Sequence, residues 1–475
     1  MSRQPTRRGP LALIAALVVA GTVAASLLGS SGPPPAALDA VASSPARAQT
    51  TAWYCAGATT VAGGAADGTI VVADAGASPL HGTLTVVSNQ GASAAMSLGI
   101  GPFSSVAIHE ADLLKAPFVA ATVVLQGGHG AVEQQVSGPL GAASTPCAST
   151  TSPRWYFGAG STVDGASLLI ALYDPFPSDA IADLSFATDQ GQTAPAEFQG
   201  IYVPARSVTM VDIGAHVVDR PVVAMTVSAR SGALVAAKLQ LDTVAGQKGL
   251  TLVTGAPTTA AVWRFPDGGL TPGVTDTYYL YNPNTAPAPV RVGVALTTGR
   301  AEPFRIEVGA QSVVALPANG ETRIPKGDGY TVTARSSGPP IVVERVVDYP
   351  GGARTGLGDL LGSPAAARHW VLAAGAADST HDEWLVVANP QTDPVRLSVA
   401  RLVGSTPTPV PGLDAVVVAP GARSALRLGD HLQGAFLPLI VTASAPVVVE
   451  RDLYRSGGGV SAAIGVALGA LSPLS

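Results

Sequence analysis

Trp155, Trp263 and Trp370 are each followed nineteen positions later by Asp174, Asn282 or Asn389, and a proline comes next every time. A chain that keeps this interval is one unit copied in tandem. Fixed-period self-similarity dictates the fold before any local pattern does. Asn282 and Asn389 lie 107 residues apart. That period is too long for a solenoid unit or a propeller blade and matches a complete small domain. An earlier, more divergent copy opens on Trp53 and reaches Asp74 after twenty-one residues. The copies are expected at 52–150, 151–258, 259–366 and 367–475.

Within each copy the apolar runs are short and Val-rich, such as TVSAR, IVVE and PVVVE, and Gly, Pro, Asn and Asp punctuate them. Beyond residue 50 no stretch sustains helical spacing. Short strands joined by frequent turns point to a sandwich or barrel. The expected fold is all-β: four tandem immunoglobulin-like β-sandwich repeats of about 105 residues. Units of that length can each bury a core. Charged residues make up 12% of the chain and the net charge is −5. That balance argues against a nucleic-acid partner, which would favour a basic stripe.

The N-terminus sets the compartment. Residues 1–9 hold Arg3, Arg7 and Arg8, and residues 10–29 contain the uncharged run Leu11–Leu28. An uncharged run of eighteen residues can span a bilayer as a transmembrane helix. The arginines predict the N-terminus inside and the bulk of the chain outside. A cleaved secretory signal is the alternative. Residues 30–51, rich in Pro, Ala and Ser, read as an extended linker. Cys55 and Cys147 both fall in the first copy, near its start and its end. First and last strands of a sandwich can be close, so an even cysteine count outside the membrane favours a disulfide.

The residues that look chemical have structural readings. Asn282 and Asn389 end strands, where the side chain can cap backbone N–H groups and the proline stops the ladder. Asp174 stands in the same place, which a turn tolerates more readily than an amide-specific site. Glu344-Arg345 and Glu450-Arg451 follow apolar runs, and strand neighbours point to opposite faces. They therefore cannot act together on one substrate; pairing across strands or with the next copy is the expectation. The second copy has Ala237-Lys238 in that place and the first has Glu133-Gln134. His381-Asp382-Glu383 lacks metal-ligand spacing and reads as a loop before a strand. Trp53, Trp155, Trp263 and Trp370 open every copy and are expected in the core. Trp384, Tyr278 and Tyr279 precede the Asn-Pro turns and are the candidates for a sugar platform. No catalytic, cofactor or metal motif is present.

The WYC opening at Trp53–Cys55, the later Cys147, the Asn-Pro turns and the Glu-Arg signatures behind an N-terminal apolar segment resemble the actinobacterial DUF5719 family. The resemblance implies no activity and no catalytic residues. It implies a surface-glycan context, with an envelope glycosyltransferase or polysaccharide as partner. The expected function is a non-catalytic, membrane-anchored scaffold or adaptor of the cell envelope. A glycan-binding protein and an unrecognised envelope hydrolase are the alternatives. Exposed coplanar aromatics would favour the first alternative, and converging carboxylates in a pocket the second.

Overall fold

The computed structural model describes residues 42–475 apart from 46, 47, 245–247, 272, 328, 353 and 475. The expected anchor therefore lies outside the described residues. Among the described residues no helix is long and apolar enough to cross a membrane.

The described residues are all-β, with short 3-10 turns between strands. The first copy lays down eight strands: Thr51–Ala58, Asp67–Asp74, Leu80–Ser88, Ser93–Ile100, Ser104–His109, Val119–Gln126, Gly130–Gly138 and Gly141–Pro146. Strands one, six, three and four form one sheet; strands five, two, seven and eight form the other. The second and third copies repeat this order. Period-two alternation builds the cores: in the third copy Val290, Val292 and Val294 are buried while Arg291 between them is exposed. In the fourth copy strands six and seven fuse into Leu439–Arg455, which runs through both sheets. Its Thr442–Val447 stretch has no glycine where the other copies turn on one.

This strand order is not the immunoglobulin order, in which the first strand pairs with the second. Here the first strand lies between the sixth and the segment leaving the eighth. Tyr54 exchanges backbone hydrogen bonds with Ala148, Tyr156 with Ala256 and Arg264 with Ser363, all at 2.9–3.0 Å. Both flanks of the first strand are thus taken. The disulfide reinforces the same seam: Cys55 on the first strand is bonded to Cys147, with Cα atoms 4.7 Å apart.

Trp53, Trp155, Trp263 and Trp370 sit in the core, none more than 2% exposed. Trp155 Nε1 donates to Leu234 O at 2.8 Å, Trp263 to Ile341 O at 2.8 Å and Trp370 to Val447 O at 3.0 Å. Each acceptor stands at the entry to the seventh strand. In these three copies the tryptophan ties the start of the copy to its sixth–seventh connection, whereas Trp53 Nε1 of the first has no partner. Asn282 Nδ2 donates to the carbonyls of Ala286, Val308 and Gly309, and Asn389 Nδ2 to those of Asp393, Val418 and Ala419. Their Oδ1 atoms accept the N–H two residues on. Asp174 keeps that last bond, accepting from Phe176 N; its Oδ2 makes no well-formed hydrogen bond, the Ala180 N–H offering only a weak contact. A carboxylate cannot donate, so the exchange preserves the turn and loses the three-way clasp.

The copies close into a ring. Eighth strands of successive copies pack together, first on second, second on third, third on fourth and fourth on first. A glycine opens each of these meetings. A Cβ on Gly249 would lie 2.7 Å from Leu357 Cβ, one on Gly356 3.1 Å from Val460 N, and one on Gly459 3.3 Å from Ala142 N. Gly141 faces both Gly459 and Leu250. The expected linker is not free at its C-terminal end. Ser43–Ser44 adds as a parallel strand to Ala467–Leu468 of the fourth copy. Ser43 N also donates to Ser149 Oγ at the end of the first.

Candidate functional site

The Glu-Arg dipeptides form a relay around the ring. Alternation along the seventh strand sends the acid to the preceding copy and the cation to the following one. Glu344 accepts from Lys238 Nζ of the second copy at 2.5 Å and from Gly158 N and Ala159 N. Arg345 donates to Glu450 of the fourth copy at 3.1 Å. Arg451 donates to Glu133 of the first copy at 2.8 Å and closes the circle, while Glu133 also accepts from Ala373 N. All of these side chains are buried. The first–second junction has Gln134 and Ala237 in the two roles. There an apolar cluster continues across the boundary, with Gly57 set close to Leu252 and Ala171. Replacing a buried pair by apolar contact is often neutral or stabilising, so joint loss of both charges is tolerated.

The balance of charge differs between junctions. Burial pulls the Lys238 ammonium down, but Asp359 at 2.8 Å and Glu344 together outweigh it and leave it above its ordinary value. Asp276 receives Arg345 through both nitrogens, at 2.8 and 3.3 Å, and Tyr330 Oη at 2.6 Å. Glu383 is the corresponding acid of the fourth copy, but it has no such clasp. Neither of its oxygens makes a well-formed hydrogen bond, the Ala376 N–H offering only a weak contact. Burial pushes its carboxyl up to about 8.

A cleft of about 260 Å³ opens at the third–fourth junction. The loop leaving Val262–Phe265 contributes Asp267, and the edge of the seventh–eighth hairpin contributes Tyr349 and Arg354. Trp384, Arg423, Asp452 and Tyr454 come from the fourth copy. Arg423 reaches Asp267 at 2.6 Å. Arg354 stacks 3.5 Å over the Tyr454 ring and donates to Asp382 at 3.1 Å. Asp382 also accepts from Trp384 Nε1 at 3.0 Å and Arg427 Nε at 2.7 Å. Tyr349 and Tyr454 meet edge to face, with their hydroxyls 3.1 Å apart. Asp452 is buried with Oδ2 unpartnered. Burial, then the charge of Asp267, pushes it up to about 7 against the pull of Arg345, Arg423 and Arg354.

The three expected platform residues separate. Trp384 is half-buried and lines this cleft. Tyr278 is buried edge-on against Phe265, so it offers no face to a sugar. Its neighbour Tyr279 is half-buried on the other face of the strand, opposite Glu344 in register. His381-Asp382-Glu383 begins the strand His381–Ala388 instead of forming a loop, and alternation splits the three. His381 pairs with Asp378 at 3.0 Å. Among the described residues no group of three or more metal-type ligands converges.

Asp267, Arg354, Arg423 and Asp452 were not among the residues that motif and spacing single out. Only Asp452 carried a signal, because it extends Glu450-Arg451 toward Tyr454; the others arrive from three separate loops and strands.

Residues 110–262 match the sequence profile described as a family of unknown function, DUF5719. That stretch of the chain is similar to the DUF5719 family. The match runs from the latter part of the first copy, through the second, to the opening of the third. No curated protein matches. Among solved structures, a Thermotoga maritima protein, 1070, is 21% identical over 22% of this chain and 94% of its own, with a TM-score of 0.21. A tetra-tandem repeat from the extending region of a large adhesion protein is 12% identical over 89% of this chain and 99% of its own, with a TM-score of 0.12. Streptomyces avermitilis alpha-L-rhamnosidase is 8% identical over 81% of this chain and 54% of its own, also at 0.12. These likenesses are too slight to carry a function to this chain.

Proposed function

We propose that this protein is a non-catalytic scaffold of the extracytoplasmic cell envelope, held to the membrane by Leu11–Leu28 and serving surface-glycan assembly. One observation carries the reading: the most chemically active dipeptides of the sequence are spent on joining copies. Glu344, Arg345, Glu450 and Arg451 are buried in the relay and face no substrate. Such a ring holds its outer faces in fixed relation, which suits a platform for a membrane enzyme or polymer. Crosslinking the full chain in its native membranes and identifying what is captured tests this. An envelope glycosyltransferase or polysaccharide is the expected catch. Recovery of no envelope component, with release of reducing sugar by the purified protein, overturns it.

The cleft favours a second reading, recognition of envelope glycan. It sets an aromatic face, Trp384, among arginines and carboxylates, the mixture that orients a sugar. The aromatics there are edge to face and not coplanar, whereas Asp267 and Asp452 do converge. Titration of wall and capsular oligosaccharides against wild type and Trp384→Ala tests binding. Reducing-sugar release that Asp452→Asn abolishes would turn this reading into a hydrolase.

A further inference from the structure

A second groove lies against the outer face of the third copy, and it is built of arginines. Its volume is about 470 Å³, and the loops carrying Gln391 and Gly421 of the fourth copy form its far wall. Arg264 comes from the first strand, Arg335 from the sixth, Arg291 from the third and Arg300 from the loop beyond it. Among the described residues none of the four makes an ion pair. No acidic residue lines the groove.

Two features of this arrangement work against the fold. Arg335, Arg291 and Arg305 stand directly opposite one another across three adjacent strands. Like charges in that relation destabilise a sheet. Arg264 is only 8% exposed, and its Nε is buried with no acceptor. Burial, then the charges of Arg335 and Arg300, pulls its guanidinium down to about 10. A buried cation without a partner costs stability unless something outside the fold compensates it. The matching position in the second copy is Tyr156 and the matching groove there holds Thr226 and Tyr281, whose hydroxyls bond at 2.7 Å. The frame therefore does not require arginine at this place.

Next to Arg264 the face is hollow. Thr333 lies opposite Arg264 on one side and opposite Gly293 on the other. A Cβ on Gly293 would find only Thr333 O, at 3.9 Å. A ligand can thus descend between the arginines to the buried one.

We propose that this groove binds a diphosphate group. Guanidinium forks take phosphate oxygens in pairs. Four unneutralised forks exceed what one phosphate can engage and suit two linked ones. The proposal stands apart from the scaffold reading and from the glycan cleft.

Thermal unfolding of the folded protein with inorganic pyrophosphate, at matched ionic strength, tests it. Pyrophosphate is expected to raise Tm by about 2–4 °C at saturation, and orthophosphate by less. Arg264→Met is expected to raise Tm without ligand and to abolish the pyrophosphate shift. Arg291→Gln and Arg335→Gln alter exposed residues and leave folding intact; each is expected to weaken pyrophosphate binding about tenfold in calorimetric titration. Uridine diphosphate in solution and farnesyl diphosphate in vesicles separate a nucleotide-borne from a lipid-borne group, and binding of either supports the site. No shift in wild type, a shift unchanged in the three variants, or orthophosphate binding as tightly as pyrophosphate overturns it.

Discussion

Arg451 in the fourth copy donates to Glu133 in the first at 2.8 Å, across 318 residues of chain. This contact joins the two ends of the tandem array. Glu133→Gln alone leaves Arg451 buried without a counter-charge, and a loss of about 3–5 kcal/mol is expected in denaturant unfolding. Glu133→Ala combined with Arg451→Gln copies the neutral first–second junction. The double variant should be more stable than the sum of the single losses predicts; strict additivity would show that the pair is not coupled.

Removing the disulfide tests the seam between first and last strands of the first copy. Cys55 and Cys147 close a loop with a sequence separation of 92. Cys55→Ser with Cys147→Ser should lower stability by about 4–5 kcal/mol in the chain-entropy view. A free-thiol assay on the native protein should find no reactive cysteine.

The tandem frame was legible because its markers act within a copy. Trp155 and Trp263 plug local cores, and Asn282 and Asn389 clasp local turns, so each is preserved by the same spacing. What joined the copies was half legible. Alternation shows that Glu344 and Arg345 part company, but not that one faces Lys238 and the other Glu450. Strand order escaped, because pairing of the first strand with the sixth leaves no mark in a Val-rich run. The cleft escaped too: Asp267, Arg354 and Asp452 meet only once the third and fourth copies pack together.

Gly356 tests the ring axis. It has φ +135°, and a Cβ would lie 3.1 Å from Val460 N. Gly356→Ala should destabilise by about 1–3 kcal/mol. Gly351→Ala, where a Cβ meets nothing within 4 Å, serves as the control. Equal effects from the two substitutions would argue against close approach at the axis.

Stability should fall as pH rises from about 4.5 to about 8. Glu383 carries a folded value of about 8 against an ordinary 4.5, because burial disfavours its charged form. The native state then holds a proton that the unfolded chain releases, so the contribution is complete below 4.5 and lost as pH rises through 8. Glu383→Gln cannot ionise and should flatten that decline in unfolding measured across the window. An unchanged slope would assign the pH dependence elsewhere, for example to Glu110, which burial pushes up to about 7.

A polypeptide is made from its N-terminus, and the relay gives that order a meaning. Lys238 must wait about a hundred residues for Glu344, and Arg345 as long for Glu450. Glu133 waits for the fourth copy before Arg451 can reach it. The first two copies, which emerge earliest, meet across the one neutral junction and can dock without stranding a charge. A nascent chain cut short before Arg451 would carry Glu133 uncompensated on an open face. The Arg451–Glu133 pair is therefore the last of the relay to form, made only when the fourth copy has folded against the first.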